Sequence, residues 1–334
     1  VVWLGRKKIE MEIFKSHNKV YNILDKGKIF FALSILAFFA AIILVSVKGL
    51  SFGIDFAGGT VVQVKYEGTP PVEEIREKLA QNEFFAKASV TPFGKDGEIV
   101  IKSAASDTSL QRDVSDITKE VLAGTGTFEI RKVDMVGPKV GNELRSKGLT
   151  AFLLALGVIL LSVTVRYEFR FALAGVAALL HDIVITIGAV SLFEVDVNIE
   201  TIAAVLTILG YSIHDTIIVF DRVREYIKDS KETDFREIIN EAVSKTLSRT
   251  ILTSLTVFFV ILTLYLFGGE IMHGFSFPML IGVVVGTYSS VFVASQLVIW
   301  TGFDVNKYRA KEVEHTKREK EKEKMRSMYE QGTI

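Results

Sequence analysis

Cysteine is absent from all 334 residues, which excludes disulfides, thiolate nucleophiles and cysteine-based metal sites. Charge of one sign is not in excess either. The 39 Lys and Arg side chains are matched by 39 Asp and Glu, so nothing favours nucleic acid as a partner. Neither a G-x-x-x-x-G-K-[ST] phosphate loop nor an H-E-x-x-H zinc motif occurs, so direct ATP use, a bound metal and a cofactor are not expected. No small-residue cleavage site follows the first apolar run, Phe30 to Val47. That run is longer than a signal-peptide core and reads as an anchor, with Met11 a candidate natural start.

What the chain does have is long apolar runs almost free of charge, with 49% hydrophobic residues and a mean hydropathy of +0.35. Crossing a hydrocarbon core of about 30 Å takes roughly 20 mostly apolar residues in a helix. Six segments meet that requirement: Ile29–Val47, Leu149–Val165, Phe171–Phe193, Ile199–Phe220, Thr250–Phe267 and Phe275–Thr301. The expected layout is an amino-terminal tail over 1–28, a first span over 29–47, an extracytoplasmic unit with its connectors over 48–148, and spans two to six over 149–301. A cytoplasmic loop is expected over 221–249 and a charged tail over 302–334. Lys and Arg crowd the amino-terminal tail, the Arg166–Arg170 turn, the 221–249 segment and the carboxyl tail, whereas Glu194–Asn198 and Gly268–His273 contain none. By the positive-inside rule both termini are cytoplasmic.

The stretch Thr60 to Val136 reads as a soluble unit. Thr60–Tyr66 alternates like a half-buried strand, and Pro70-Pro71 opens a helix carrying Val72, Ile75 and Leu79 on one face. Ala88–Pro92 and Glu98–Lys102 form a hairpin across Gly94-Lys95-Asp96-Gly97. A second helix has Leu110, Val114, Ile117 and Val121 at helical spacing, and Thr127–Val133 closes the unit as a strand. The order β-α-β-β-α-β is ferredoxin-like. The fold class is thus an α-helical polytopic membrane protein of six transmembrane helices with an inserted α+β ferredoxin-like extracytoplasmic domain. A folded spacer and a binding domain both satisfy this reading.

Ionisable groups inside apolar spans are expensive and point to function. Asp215 lies within the fourth span, and helical spacing puts Tyr211, Ser212 and Asp215 on one face. Its carboxyl group suits proton loading and release, or alternatively the joining of helices. Arg249 opens the fifth span and heads a stripe with Thr253, Thr256 and Thr263, beside Thr250 and Ser254. Such a stripe is expected to face the bundle interior; the alternative for Arg249 is snorkelling to the headgroups. His181, Asp182, His214, Ser212 and Thr253 are candidates for a secondary relay or for helix packing. Gly282, Gly286 and Ser290, four apart, suit close helix approach.

Gly53-Ile54-Asp55-Phe56-Ala57-Gly58-Gly59-Thr60 resembles the G-[IL]-D-F-x-G-G-T signature of SecD and SecF proteins, so Gly53, Asp55, Gly58, Gly59 and Thr60 are its motif residues. Val136-Gly137-Pro138-Lys139-Val140-Gly141, His181-Asp182, the run Gly210 to Arg222, Ser248 to Ser254 and Leu266 to Gly269 extend the likeness from about Phe14 to Phe303. The chain is similar to the SecF branch of this protein-export family, within the resistance-nodulation-division superfamily. The resemblance implies a plasma-membrane subunit with no enzyme activity that pairs with SecD, works beside the SecYEG channel with YajC, lipid and the exported polypeptide, and uses the proton-motive force. It also implies that Asp215 and Arg249 form the proton pathway. His214 stands where many relatives carry Asn. The alternatives are a half-transporter for small molecules or lipids, and an intramembrane protease built on Asp182 and Asp215.

Overall fold

The computed structural model describes residues 22–86, 88–93, 97–103, 114–269 and 272–330. Residues 1–21 of the tail expected over 1–28, the hairpin residues Gly94 to Asp96 and Leu110 lie outside these residues. Six helices are long and apolar enough to span a membrane. They are α1 (Gly27–Lys48), α5 (Pro138–Arg166), α6 (Phe169–Leu192), α7 (Ile199–Asp229), α8 (Phe235–Phe267), and α9 (His273–Ser289) continued through a π-turn at Ser290–Ala294 into α10 (Ser295–Trp300). A single helical turn, α2 (Ile54–Ala57), follows α1.

Between α2 and α5 lies a four-stranded antiparallel sheet of order β2-β3-β1-β4, built from β1 (Gly59–Tyr66), β2 (Ser89–Phe93), β3 (Glu98–Ser103) and β4 (Phe128–Val136). Helices α3 (Val72–Gln81) and α4 (Val114–Val121) cover one face, as in the ferredoxin-like arrangement. Alternation places Val62, Val64 and Tyr66 of β1 against Ile75 and Leu79 of α3. The other face of the sheet looks toward the loops of the helix bundle.

Helices α6, α7 and α9 form the buried centre, and α1, α5 and α8 the periphery. Small residues allow the central contacts. A Cβ on Gly188 of α6 would stand 2.4 Å from the Ala41 Cβ of α1, and one on Gly282 of α9 would stand 2.3 Å from Ile208 Cδ1 of α7. Gly282 and Gly286 therefore serve close helix approach.

Two expectations need correction. The segment 221–249 is not a loop: α7 runs on to Asp229 and α8 begins at Phe235, leaving only a short connector whose Asp234 accepts the Arg236 N–H at 2.8 Å. Helix continues past the apolar spans there because Phe235, Ile238, Ile239 and Ala242 bury against the rest of the bundle. Likewise 138–148 is no connector but the first turns of α5, started by Pro138 at the first helical position. The carboxyl tail forms the helix α11 (Val305–Glu330), docked through Phe303, Val305 and Tyr308.

Candidate functional site

The signature segment after α1 is a joint between the α+β domain and the bundle. Ser51 and Gly53 pair with Val197 in the loop before α7, through Val197 N–H to Ser51 O at 2.8 Å and Gly53 N–H to Val197 O at 3.0 Å. The backbone approaches closely enough that a Cβ on Gly53 would sit 1.6 Å from Asn198 Oδ1. Gly58 and Gly59 have φ of +74° and +147°, a region that favours glycine, as the chain turns into β1, where Thr60 is buried. Asp55 Oδ2 accepts the Ile199 N–H at 3.0 Å, so the motif carboxylate sits at the amino terminus of the helix that carries Asp215. A separate link, Lys102 Nζ to Asp196 Oδ2 at 2.5 Å, ties β3 to the same loop, and Ser51 Oγ donates to Asp196 Oδ1 at 2.6 Å. Neither Lys102 nor Asp196 carries a motif, and their pairing is invisible in the sequence.

Asp215 is 1% exposed at the centre of the bundle. Among the described residues its one hydrogen-bond neighbour is Ser254 Oγ, at 3.4 Å from Oδ2. That hydroxyl accepts from Thr287 Oγ1 at 2.7 Å and is also 2.7 Å from the Thr250 carbonyl, which competes for its proton. Asp215 Oδ1, Tyr211 Oη, Thr216 Oγ1 and Thr250 Oγ1 are buried with no partner among the described residues. Unpaired polar atoms on two apolar spans, three on α7 and one on α8, make a site that welcomes a proton, water or a polar group from outside the chain.

Asp182 differs sharply. It is fully buried, and its Oδ2 accepts from Ser212 Oγ at 2.5 Å and Ser289 Oγ at 2.7 Å, while Oδ1 lies 2.9 Å from His181 Nδ1. The His181 ring stacks on Phe38 of α1 at an interplanar angle of 4°. This knot joins α6, α7 and the end of α9 at the start of the π-turn. Ser212 therefore belongs to Asp182, not to a common face with Asp215. Among the described residues the two carboxylates share no hydrogen-bond partner.

The expected interior stripe on α8 is also corrected. Thr250 and Ser254 are buried, but Arg249, Thr253, Thr256 and Thr263 are exposed, and the Thr253, Thr256 and Thr263 hydroxyls bond back to their own helix. No ion pair within 4.0 Å joins Arg249 to Asp215 among the described residues. His214 is exposed too, on a stripe of α7 with Ala203, Thr207 and Gly210. Small and polar residues thus line the open flank formed by α7 and α8. Thr287 and Ser289 escaped the sequence reading, although hydroxyls within an apolar span were the available signal.

An α-helical bundle interrupted after its first span by a ferredoxin-like domain, with a buried carboxylate in the fourth span, defines a class of multi-pass membrane protein. Residues 117–304 match the family described as Protein export membrane protein SecD/SecF, C-terminal, and residues 43–70 match the SecD/SecF GG Motif. The protein translocase subunit SecF of Helicobacter pylori is 46% identical over 97% of this chain and all of its own length. That of Desulfurispirillum indicum is 42% identical over 81% of this chain and 88% of its own length. The crystal structure of SecDF from Thermus thermophilus, a translocon-associated membrane protein, superposes with a TM-score of 0.77 at 35% identity, covering 86% of this chain. This chain spans 39% of that SecDF chain's length. The chain belongs to the SecD/SecF family of protein-export membrane proteins.

Proposed function

We propose that this chain is a SecF-type subunit of protein translocase that pairs with a SecD-type partner and couples proton entry at Asp215 to movement of the α+β domain. The observation that carries this is a carboxylate 1% exposed, with one oxygen unpaired, among three further unpaired buried hydroxyls. Protonating such a group relieves the cost of a buried charge, and deprotonating it demands a cation or water nearby, so the two states favour different packings. Arg249, one turn before Thr253 on the open flank, is placed to supply the cation once a partner covers that flank. The Asp55 contact at the start of α7 and the backbone pairing of Gly53 with Val197 give a tilt of that helix a short route to the domain.

Lys and Arg at the end opposite the domain orient both termini to the cytoplasm and the domain outward, in a bacterial inner membrane. There the domain would meet polypeptide leaving a SecYEG-type channel. The test is export into vesicles with and without a proton gradient, using Asp215→Asn and Arg249→Met. Both variants assemble, and both lose the gradient-dependent part of export. Undiminished gradient dependence in both overturns the coupling mechanism and leaves the family membership untouched.

A further inference from the structure

The bundle end opposite the α+β domain holds a cleft of about 410 Å³ that proton coupling does not use. It lies where α5 ends, and Arg224 of α7 is about 37 Å along its helix from Ile199. That exceeds the roughly 30 Å hydrocarbon core, so the cleft stands at headgroup level.

Its walls bring together the cations Arg166, Arg224 and Lys311, aromatic rings, and the acids Glu168 and Glu312. The Tyr167 ring has the Arg224 guanidinium 5.3 Å and the Arg166 guanidinium 5.8 Å from its centroid. Arg224 donates through Nη1 to the Arg166 carbonyl and through Nε to Tyr308 Oη, both at 3.2 Å, which fixes its position. Lys311 of α11 closes the far side. The nearby acids are mostly engaged. Asp221 takes Arg166 Nη2 at 3.1 Å and the Tyr167 hydroxyl at 2.6 Å, and Glu312 is held by Lys228. Glu168 at the rim is half-buried. Among the described residues no carboxylate lies within 4.0 Å of the Arg224 guanidinium or the Lys311 ammonium. An anion with hydrogen-bond acceptors matches this cleft.

The flank says which anion. Leu161, Val165 and Phe169, beside the cleft mouth, are 66%, 81% and 63% exposed on the lipid-facing surface of α5 and α6. A ligand that uses both surfaces carries a phosphate and acyl chains. We propose that this cleft binds the headgroup of an anionic glycerophospholipid, with its chains along Leu161, Val165 and Phe169, and so pins α11 to the bundle at the membrane surface.

The experiment uses the full chain purified in a neutral detergent. Native mass spectrometry counts retained phosphatidylglycerol or phosphatidylcholine, and thermal unfolding is followed with each lipid and with inorganic phosphate alone. Phosphatidylglycerol is expected to be retained in preference and to raise the unfolding temperature, while phosphate alone does neither. Arg224→Gln and Lys311→Gln should each weaken retention about fivefold, the effect of one cation near an anionic headgroup. Lys311 is exposed and makes no hydrogen bond or ion pair among the described residues, so its variant stays informative if Arg224→Gln misfolds. Lys324→Gln, farther along the same helix, should change nothing. Equal retention of the two lipids, an equal shift with inorganic phosphate, or unchanged retention by folded Lys311→Gln overturns the proposal.

Discussion

Among the described residues two carboxylates, Asp182 and Asp215, are buried inside the bundle, and what surrounds each one separates their roles. Asp182 has an acceptor position filled by Ser212, by Ser289 and by His181. Removing it strands the Ser212 hydroxyl and the His181 ring nitrogen, whereas Ser289 keeps the Gly286 carbonyl at 3.1 Å; each stranded group costs about 1–3 kcal/mol. Asp182→Ala should therefore lower stability by several kcal/mol, seen as a marked fall in unfolding temperature, and Asp182→Asn by much less. Asp215 holds only one long contact, and its other oxygen is bare. Asp215→Asn should leave the unfolding temperature unchanged or raise it. Similar losses for the alanine variant at 182 and the asparagine variant at 215 would mean that both carboxylates are structural.

Between elements, the contacts of the α+β domain are of two kinds. The backbone pairing of Ser51 and Gly53 with Val197 is continuous with the chain leaving α1, so it behaves as a fixed joint. The Lys102–Asp196 pair is one partly exposed ion pair, with side chains 43% and 26% exposed, and such pairs contribute little net stability. It can open without unfolding anything. Because the chain has no cysteine, Lys102→Cys with Asp196→Cys gives a clean site for a flexible bismaleimide cross-link. Cross-linked protein should lose the gradient-dependent part of export while the unlinked double variant keeps it. Full export from the cross-linked form would place the moving contact elsewhere. On the same scale, the last turn of α7 and the connector after it are tied to α11 through the Lys228–Glu312 pair and the Arg309 bonds to the Ile227, Ser230 and Glu232 carbonyls.

For the whole molecule, the flank of α7 and α8 is the surface that asks for another protein. Gly210, His214, Arg249, Thr253 and Thr256 are exposed on apolar helices, where lipid tails offer polar groups nothing. Gly210 is informative because a Cβ there meets nothing within 4 Å in this chain. Gly210→Phe should leave the chain alone as stable as wild type, yet abolish co-purification with a SecD-type partner. Normal co-purification would move the partner to another flank.

The number of spans, the order of strands and helices in the domain, and the identity of Asp215 as a buried acid were legible because each rests on local regularity. Apolar run length, two-residue alternation in β1 and the helical spacing of Ile75 with Leu79 are properties of neighbouring residues. Resemblance to the SecD/SecF signature marked Gly53, Asp55, Gly58, Gly59 and Thr60 as a motif, though not that Asp55 reaches the start of α7. What depended on tertiary structure was direction around each helix. A helix rotates about 100° per residue, so Ser212 and Asp215, three apart, share a broad face, yet α6 and α9 claim the one and α8 the other. The stripe headed by Arg249 turned outward because Thr250 and Ser254 took the inward positions against Asp215 and Thr287. Pairings such as Lys102 with Asp196, or Arg224 with Tyr167 and Tyr308, join residues tens of positions apart, and only the packed chain brings them within reach.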